Sequence, residues 1–350
     1  MSRAGRVEVN LQDVPELQKF VLSNVRPTGR DLGSGAYGSV EEVEIPGATC
    51  AAKRIHESLL RMGNADEIKN ITDAFVRECQ LMSTLHHPHI VQFLGVCFLS
   101  GSRLPVLVME QLMTSLNDLL ETNPNVPLAT KSSILHDVAC GLAYLHSHLP
   151  PIIHRDLTAK NVLLNSAMVA KLADLGMARI VDIQPGQLVA TMTQAPGTVV
   201  YMPPEALEPK AKYNTMLDIF SIGVLALYTL TQIFPVPKAP TYLTSDGRIV
   251  GRSEIDRRME YIQEIHQKLG RQHPLVLMIE QCLHNNPRNR PTINQVLQRL
   301  EEAKVQIQDR YGNMSKLEVI QALGEKEEEV AELHQKVGSI LFNAFPDSEK

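Results

Sequence analysis

Apolar and polar positions follow a strand-like period in the first third of the chain and mainly a helical period afterwards. Residues 40–45, VEEVEI, alternate between the two kinds of position, and IVQFLGVCFL (90–99) and PVLVME (105–110) are short apolar segments typical of strands. Residues 65–85 instead repeat their apolar positions every three to four residues, as does the chain from residue 127 onward. A strand-rich beginning followed by a helix-rich remainder predicts an α+β fold in two lobes.

The most apolar run of the chain is IFSIGVLALYTLTQIF (219–234). It is short for a membrane span, carries serine and threonine, and lacks basic flanks. We therefore predict a buried helix and no membrane span, because a helix that is apolar on all sides is otherwise the centre of a large domain. The first residues, MSRAGRVEVNLQDVPELQKF, contain no continuous apolar segment, so we do not expect a secretory signal.

Composition and charge narrow the range of partners. The formal net charge of −5 argues against nucleic acid as the main partner, because neutralising phosphates requires a basic surface. The five cysteines are scattered and never form a C-x-x-C pair, which favours buried free thiols over a disulfide framework or a zinc site. We therefore expect a cytoplasmic protein.

Residues 304–345 are polar and charged and carry a weak heptad pattern. Its apolar positions are Leu323, Val330, Leu333, Val337 and Ile340. Glycines at 324 and 338 weaken a helix, and lysines at 316 and 326 occupy earlier positions of the seam. A coiled coil that makes a homo-oligomer, a helix that folds back on the body, and a frayed tail are all compatible with this pattern.

A glycine-rich stretch, LGSGAYGSV (32–40), lies between two strand-like segments. Glycines at 33, 35 and 38 would let backbone amides close over a polyphosphate, where side chains would block the approach. A plain hairpin turn is the alternative. A dinucleotide-binding fold would need a helix directly after the last glycine, whereas residues 40–45 continue as a strand.

Two charged residues follow in apolar surroundings. Lys53 lies in the apolar segment CAAKRI (50–55), and Glu78 lies within the helical pattern of residues 65–85. A buried lysine needs an anionic partner because an unpaired interior charge is costly, and Glu78 is a suitable one. Taken singly, each could equally be a solvated surface charge.

The next motifs settle which family the chain resembles. HRDLTAKN (154–161) matches H-R-D-L-x-x-x-N, DLG (174–176) matches D-F-G with leucine for phenylalanine, and PPE (203–205) matches A-P-E with proline for alanine. DIFSIGV (218–224) and PRNRPT (287–292) are similar to the helix and the closing arginine motif that follow them in the same family. With the glycine-rich stretch, Lys53 and Glu78, the series resembles the eukaryotic protein kinase superfamily, and within it the tyrosine-kinase-like group.

The resemblance implies a domain organisation. A lead-in of residues 1–25 would precede a kinase domain of residues 26–303, with an N-lobe over about 26–110 and a C-lobe over about 111–303. The remaining residues, 304–350, would form the helical or coiled-coil tail.

The resemblance also implies the catalytic groups. Lys53 would hold the α- and β-phosphates of ATP and be oriented by Glu78, and Asp156 would accept the proton of the attacking hydroxyl. Asp174 and Asn161 would bind Mg²⁺, which prefers such oxygen ligands.

The nucleotide-binding set implied by the resemblance covers the glycine-rich stretch, the apolar walls of the cleft, the gatekeeper at 109 and the adenine-contacting backbone at 110 and 112. It consists of Leu32, Gly33, Gly35, Gly38, Val40, Ala51, Lys53, Met109, Glu110, Leu112 and Leu163.

Further residues would have structural roles in such a fold. An apolar column linking the lobes would consist of Met82, Phe93, His154 and Leu175. Glu205 would pair with Arg290, and Asp218 would brace the catalytic loop. The stretch LHHPHIV (85–91) invites a metal interpretation, but its histidines do not share a helical face, so we predict a structural turn.

The acceptor specificity receives conflicting signals. Serine/threonine kinases usually place a lysine two residues after the base, where this chain has Thr158. Tyrosine kinases place an arginine four residues after it, where Lys160 keeps the charge without the guanidinium fork. Thr198 in GTVVYMPPE (197–205) matches the threonine that shapes a pocket for a short side chain in serine/threonine kinases. We favour serine or threonine because that loop sets how far the acceptor hydroxyl lies from the base, and keep tyrosine or dual specificity as the alternative.

Two other functions compete with an active protein kinase. A scaffold without catalysis would be expected to have lost Lys53, Asp156 or Asp174, and all three are present. A small-molecule phosphotransferase would lack a segment such as residues 197–205, which resembles the peptide-binding segment of protein kinases. A protein is therefore the expected substrate.

Overall fold

The structure is a computed structural model of the chain. It describes residues 15–35, 38–56, 58–59, 65–99, 105–180, 199–207, 214–233, 242–243, 249–250 and 253–311. The chain divides into two compact units, Met1–Glu301 and Glu302–Lys350. The predicted heptad positions of the tail and Thr198 lie outside the described residues, so the predictions made for them stay predictions.

The first part of the larger unit is an antiparallel sheet of five strands in the order β1-β2-β3-β5-β4. Its strands are β1 (Arg26–Ser34), β2 (Gly38–Ile45), β3 (Ala48–Ile55), β4 (Phe93–Cys97) and β5 (Val106–Glu110). Helix α1 (Ala65–Met82) connects β3 to β4. The 3₁₀ turn Pro15–Phe20 precedes the sheet, and Val21 bridges to Val96 of the edge strand β4.

The two faces of this sheet carry different side chains. One face carries a core of buried small and β-branched side chains: Val43, Cys50, Ala52, Cys97, Leu99, Val106 and Val108. On the other face, Val40 lies opposite Lys53, and Lys53 lies opposite Leu107. Residues directly opposite in an antiparallel ladder share a face, so the predicted strand lysine is presented away from the apolar core.

The second part of the larger unit is mainly helical. Its helices are α2 (Leu116–Thr122), α3 (Leu128–His146), α4 (Met216–Thr231), α5 (Ser253–Leu269), α6 (Pro274–Cys282) and the first half of α7 (Ile293–Tyr311), whose residues from Glu302 onward belong to the smaller unit. Its short strands are β6 (Thr114–Ser115), β7 (Ile152–Ile153), β8 (Val162–Leu164), β9 (Ala170–Leu172), β10 (Arg179–Ile180), β11 (Tyr242–Leu243) and β12 (Ile249–Val250). The predicted α+β fold with a strand-rich N-lobe and a helical C-lobe is confirmed.

Helix α4 forms the centre of the helical part. Every residue from Leu217 to Thr231 is buried, as predicted from its apolar sequence. Over the described ranges, no helix is long and apolar enough to cross a membrane. The five cysteines all lie within the described residues; none forms a disulfide, and four of them are buried.

Candidate active site

The glycine-rich stretch forms the hairpin between β1 and β2. Gly35 donates its backbone N–H to the carbonyl of Gly38 over 2.8 Å. A Cβ atom at Gly38 would lie 2.1 Å from the carbonyl oxygen of Arg54 on β3, so glycine is required there by the close approach of the next strand. At Gly33, a φ of 153° favours glycine on conformational grounds.

Lys53 lies between two carboxylates contributed by distant parts of the chain. Its Nζ is 2.7 Å from Oε1 of Glu78 on α1 and 2.8 Å from Oδ1 of Asp174. Burial by itself would lower the pKa of Lys53, but the charges of Asp174 and Glu78 outweigh burial and raise it. The strand lysine is therefore held as a cation.

The pKa values of the two carboxylates beside this lysine are shifted in opposite directions. The Lys53 ammonium lowers the pKa of Asp174, so this carboxyl is ionised at neutral pH. Burial raises the pKa of Glu78, with Lys53 opposing the change and Asp174 adding to it. Glu78 is 7% exposed, so its carboxylate needs the Lys53 ammonium as a partner. This ion pair fixes the position of helix α1 against the sheet.

Asp156 lies at the end of the segment that follows β7. Asn161 donates its side-chain amide to the Asp156 backbone carbonyl over 2.8 Å and to Oδ2 over 2.9 Å. The other oxygen, Oδ1, is buried and accepts no hydrogen bond within the described structure. Burial raises the pKa of Asp156, with the Asp174 charge adding to it and His154 opposing it. One oxygen of a carboxyl with raised basicity is thus available to take a proton.

Asp174 and Asn161 fit a hard divalent cation. Asp174 has a left-handed backbone with φ of 58°, and one of its oxygens pairs with Lys53. Because Asn161 uses its amide nitrogen on Asp156, its carbonyl oxygen is the end that can act as a ligand. Carboxylate and amide oxygens are the donors such a cation prefers.

The histidines at 86, 87 and 89 contact helix α3 and strand β9. The backbone N–H of His86 donates to the Tyr144 hydroxyl over 3.0 Å, and the His87 ring stacks on the Tyr144 ring at 4.7 Å. The His89 ring bonds to the carbonyl of Ala170 at 3.0 Å. Over the described ranges, no group of three or more histidine, cysteine, aspartate or glutamate residues could hold a metal.

Asp218 fixes the backbone that leads to Asp156. This fully buried carboxylate accepts the backbone N–H groups of His154 and Arg155, each over 2.9 Å, and Nε2 of His146 over 2.8 Å. Arg155 has a φ of 71°, a conformation that the two backbone hydrogen bonds hold in place. Burial would raise the pKa of Asp218, but these hydrogen bonds and the histidine charges lower it.

A second ion pair joins the segment before α4 to the turn before α7. Arg290 donates two bonds to Glu205, of which the Nη2–Oε2 bond is 2.8 Å long. Its guanidinium also lies 4.9 Å from the Phe220 ring centre and is fully buried. The structure therefore has the pair that the closing arginine motif implied.

The residues of the predicted nucleotide-binding set lie on β1, β2, β3 and β8, in the turn between β1 and β2, at the end of β5, and directly after β5. Ala51 lies opposite Met109 in the sheet, on the same face as Val40 and Lys53. Lys160 is exposed in the 3₁₀ turn Ala159–Asn161. The four residues of the predicted apolar column are all buried: Met82, Phe93, His154 and Leu175.

Four contacts around the cleft were not predicted from the sequence. Lys171 of β9 binds Oε1 of Glu110 at 2.6 Å, and the same oxygen accepts the backbone N–H of Gln92 over 2.7 Å. His56 Nε2 donates to the Gly35 carbonyl over 2.8 Å. Glu42 accepts a bond from the segment after β5, as described below. These partners are far apart in sequence and belong to no motif, so the pattern of residues carries no signal for them.

Comparison with known proteins agrees with this arrangement. The protein kinase domain model matches residues 27–300. A probable serine/threonine-protein kinase of Dictyostelium discoideum is 31% identical over 276 residues, covering 78% of this chain and 24% of the relative. The dual specificity protein kinase shkA of the same organism is 29% identical over 298 residues, covering 80% and 50%.

A plant protein gives a similar result. Calcium/calmodulin-regulated receptor-like kinase 2 of Arabidopsis thaliana is 29% identical over 273 residues, covering 76% of this chain and 58% of the relative. The chain thus spans between about a quarter and three fifths of the length of these three curated relatives. The lysine, the two aspartates and the glycine-rich hairpin lie within the matched residues, and the chain belongs to the protein kinase family, whose domain transfers phosphoryl groups from ATP to proteins.

Proposed function

We propose that this chain is a catalytically active kinase that transfers the γ-phosphoryl group of ATP to a serine or threonine hydroxyl of a protein substrate. The observation that carries the proposal is the assembled set of Lys53, Glu78 and Asp174, together with the unbonded Oδ1 of Asp156. A scaffold without catalysis would have no need to keep a buried carboxyl oxygen without a partner, because such an atom costs stability.

Phosphoryl transfer needs positioned charge more than covalent chemistry from the protein. Lys53 binds the phosphates of ATP as a permanent cation, and Glu78 keeps the Lys53 side chain pointed into the cleft. Mg²⁺ held by Asp174 and Asn161 supplies further neutralisation of the phosphate charge when it is bound. Asp156 orients the acceptor hydroxyl and takes its proton at Oδ1 as the bond to phosphorus forms.

The preference for serine or threonine rests on the sequence around the base. Lys160 is exposed and provides a cation near the acceptor, a feature that favours tyrosine. Thr198, which favours serine or threonine, lies outside the described residues. The relatives include a probable serine/threonine kinase and a dual specificity kinase. Their names support phosphorylation of serine or threonine as the main activity and of tyrosine as a minor one.

Three further parts of the proposal concern the whole chain. We propose a cytoplasmic location, which is supported by the five cysteines being thiols rather than disulfides in the part of the chain that the structure describes. Membership of the tyrosine-kinase-like group and self-association through residues 304–350 are proposed from the sequence alone. Comparing the solution mass of the full chain with that of a chain ending at Tyr311 tests the association, and equal masses per chain would contradict it.

The test of the main proposal uses the purified full-length chain, ATP, Mg²⁺ and a degenerate peptide library. We expect phosphoserine and phosphothreonine to predominate and Asp156→Asn to reduce kcat by a factor of about 10² or more without changing the unfolding temperature. Predominant phosphotyrosine would contradict the acceptor assignment. Equal turnover by the wild type and the Asp156→Asn variant would contradict the role of the base.

A further inference from the structure

The first two strands of the sheet lose their regular register where they pass Glu42. Between the pairs Pro27–Val43 and Asp31–Glu41 the ladder shifts, which leaves the β1 residues of this bulge free to turn their side chains towards β2. Thr28 donates its hydroxyl to Oε1 of Glu42 over 3.0 Å. The Arg30 guanidinium binds the other oxygen at 3.2 Å.

The same carboxylate also reaches the segment that joins the two lobes. Gln111 donates its side-chain amide to Oε2 of Glu42 over 2.8 Å. Gln111 lies directly after β5, between Glu110 and Leu112, whose backbone is predicted to face adenine. One side chain on β2 therefore connects the strand before the glycine-rich hairpin, the strand after it, and the hinge.

The position and charge of Glu42 suit this task. Glu42 lies opposite Ala51 on the cleft face of the sheet, two residues after Val40, and its side chain is only 13% exposed. The Gln111 hydrogen bond is the largest influence lowering the pKa of Glu42, with Thr28 and Arg30 also lowering it. The carboxylate is therefore ionised at neutral pH and can accept all three donors at once.

The neighbouring hinge residue is held from the opposite direction. Glu110 is bound by Lys171 of β9, the strand that leads to Asp174. Consecutive hinge side chains are thus tied to opposite walls of the cleft: Glu110 to the strand below the nucleotide site and Gln111 to the strands above it.

We propose that Glu42 is a positioning residue for ATP, which ties the base of the glycine-rich hairpin to the hinge through Gln111 and so sets the height of the hairpin over the nucleotide. This inference rests on the proposed function, because it concerns ATP binding in the same cleft. Glu42 acts through other residues: the hairpin amides and the hinge backbone contact the nucleotide, and the Glu42–Gln111 bond fixes the distance between them.

The consequence is a specific kinetic signature. Releasing the base of the hairpin weakens ATP binding, while Lys53, Asp156 and Asp174 keep their own contacts. We expect Glu42→Ala to raise KM and Kd for ATP by about three- to tenfold, the effect of losing one charge-assisted hydrogen bond at a partly exposed site, with kcat changed by less than about twofold.

A double-mutant cycle on the full-length chain tests the inference. Glu42→Ala, Gln111→Ala and the double variant are compared by ATP titration calorimetry and by steady-state kinetics. If the two side chains act through one bond, the double variant is no worse than the more severe single variant. Glu42→Gln should restore near wild-type KM because it keeps an oxygen for the Gln111 amide. It changes only the bonds to Thr28 and to the exposed Arg30, neither of which reaches the hinge. Glu44→Ala, at an exposed position on the same strand, is the matched control.

Each outcome decides the question. Additive losses, a Glu42→Gln variant as impaired as Glu42→Ala, or a loss confined to kcat would overturn the inference. If Glu42→Ala does not fold, the Gln111→Ala variant carries the test alone, and an unchanged KM for ATP in that variant refutes the proposed role of the Glu42–Gln111 bond. A wild type that neither binds nor turns over ATP would overturn the proposed function and this inference with it. A normal wild type with an unaffected Glu42→Ala variant would overturn the inference only.

Discussion

Removing the carboxylate of Asp218 should destabilise the protein more than most single changes, and it should impair catalysis before the protein unfolds. Asp218→Ala deletes the carboxylate that accepts the backbone N–H groups of His154 and Arg155 and that bonds to His146. Helix α4 holds the group where it is fully buried, so these donors would be left without a partner in the interior.

The magnitude follows from the number of bonds and their burial. Each hydrogen bond to a buried charged acceptor contributes about 1.5–3 kcal/mol, and removing the acceptor leaves its donors desolvated. Because relaxation recovers part of this cost, we expect a loss of about 3–5 kcal/mol in the free energy of unfolding, the range measured when one partner of a buried charged network is removed. For a domain of this size the unfolding temperature would fall by roughly 10 °C.

Asp218→Asn separates charge from shape. The backbone N–H groups of His154 and Arg155 use different oxygens of the carboxylate, and an asparagine offers only one oxygen. We expect about half the destabilisation of the alanine variant. Since Arg155 has a left-handed backbone that these bonds hold, kcat should fall through misplacement of Asp156 while KM for ATP changes little.

The assay is urea unfolding followed by circular dichroism, at neutral pH and again near pH 3, below the unfolded-state pKa of an aspartate. The lowered pKa of Asp218 means that its contribution is present above the unfolded-state value of about 3.9 and is lost as the pH falls through the folded-state value. The difference between wild type and Asp218→Ala should therefore shrink under acidic conditions. Glu260→Ala, at an exposed position on α5, is the control. Wild-type stability in Asp218→Ala would refute the reasoning.

Three other outcomes are expected. Gly38→Ala should lower the free energy of unfolding in urea by about 1–3 kcal/mol, because its Cβ would lie 2.1 Å from the Arg54 carbonyl oxygen. Gly35→Ala is the control and should cost little, because the atom nearest to its Cβ is 3.9 Å away. Equal losses in the two variants would contradict this prediction. Burial lowers the pKa of Lys131 to about 8, below its unfolded-state value of about 10.4. The stability that this shift contributes is therefore present above about 10.4 and is lost as the pH falls towards 8. Lys131→Met should abolish this increase of the free energy of unfolding with pH, measured between about pH 8 and 10. The raised pKa of Asp156 should place the acidic limb of the kcat/KM profile above the ordinary aspartate value of about 3.9, and a limb at or below that value would argue against this base.

Local patterns were enough to predict the main elements. Helix α1 was expected over residues 65–85 and is observed at Ala65–Met82, because its apolar spacing matches the helical period. The buried character of α4 followed from a sequence that is apolar on every side. The order of the family motifs along the chain predicts that Lys53, Asp156 and Asp174 belong to one catalytic domain.

Why a particular residue is needed at a position was harder to predict from the sequence, and Gly38 is an example. Gly38 was interpreted as an opening for phosphate, yet the structure shows that the close carbonyl of Arg54 on β3 already excludes a side chain there. Strand pairing decides such a contact, and pairing depends on residues that are separated along the chain.

The family, the two-lobed α+β fold and the identity of the charged groups follow from the amino-acid sequence, because periodicity and motif order are local properties. Only the tertiary structure decided which charges meet. Lys53 could have been a solvated surface residue, and its position between Glu78 and Asp174 arises from three separate elements packing together. Glu42 carries no motif, and only the irregular register of β1 and the path of the hinge bring Thr28, Arg30 and Gln111 to its carboxylate. Hydrogen bonds between distant residues are set by packing geometry, which no short stretch of sequence contains.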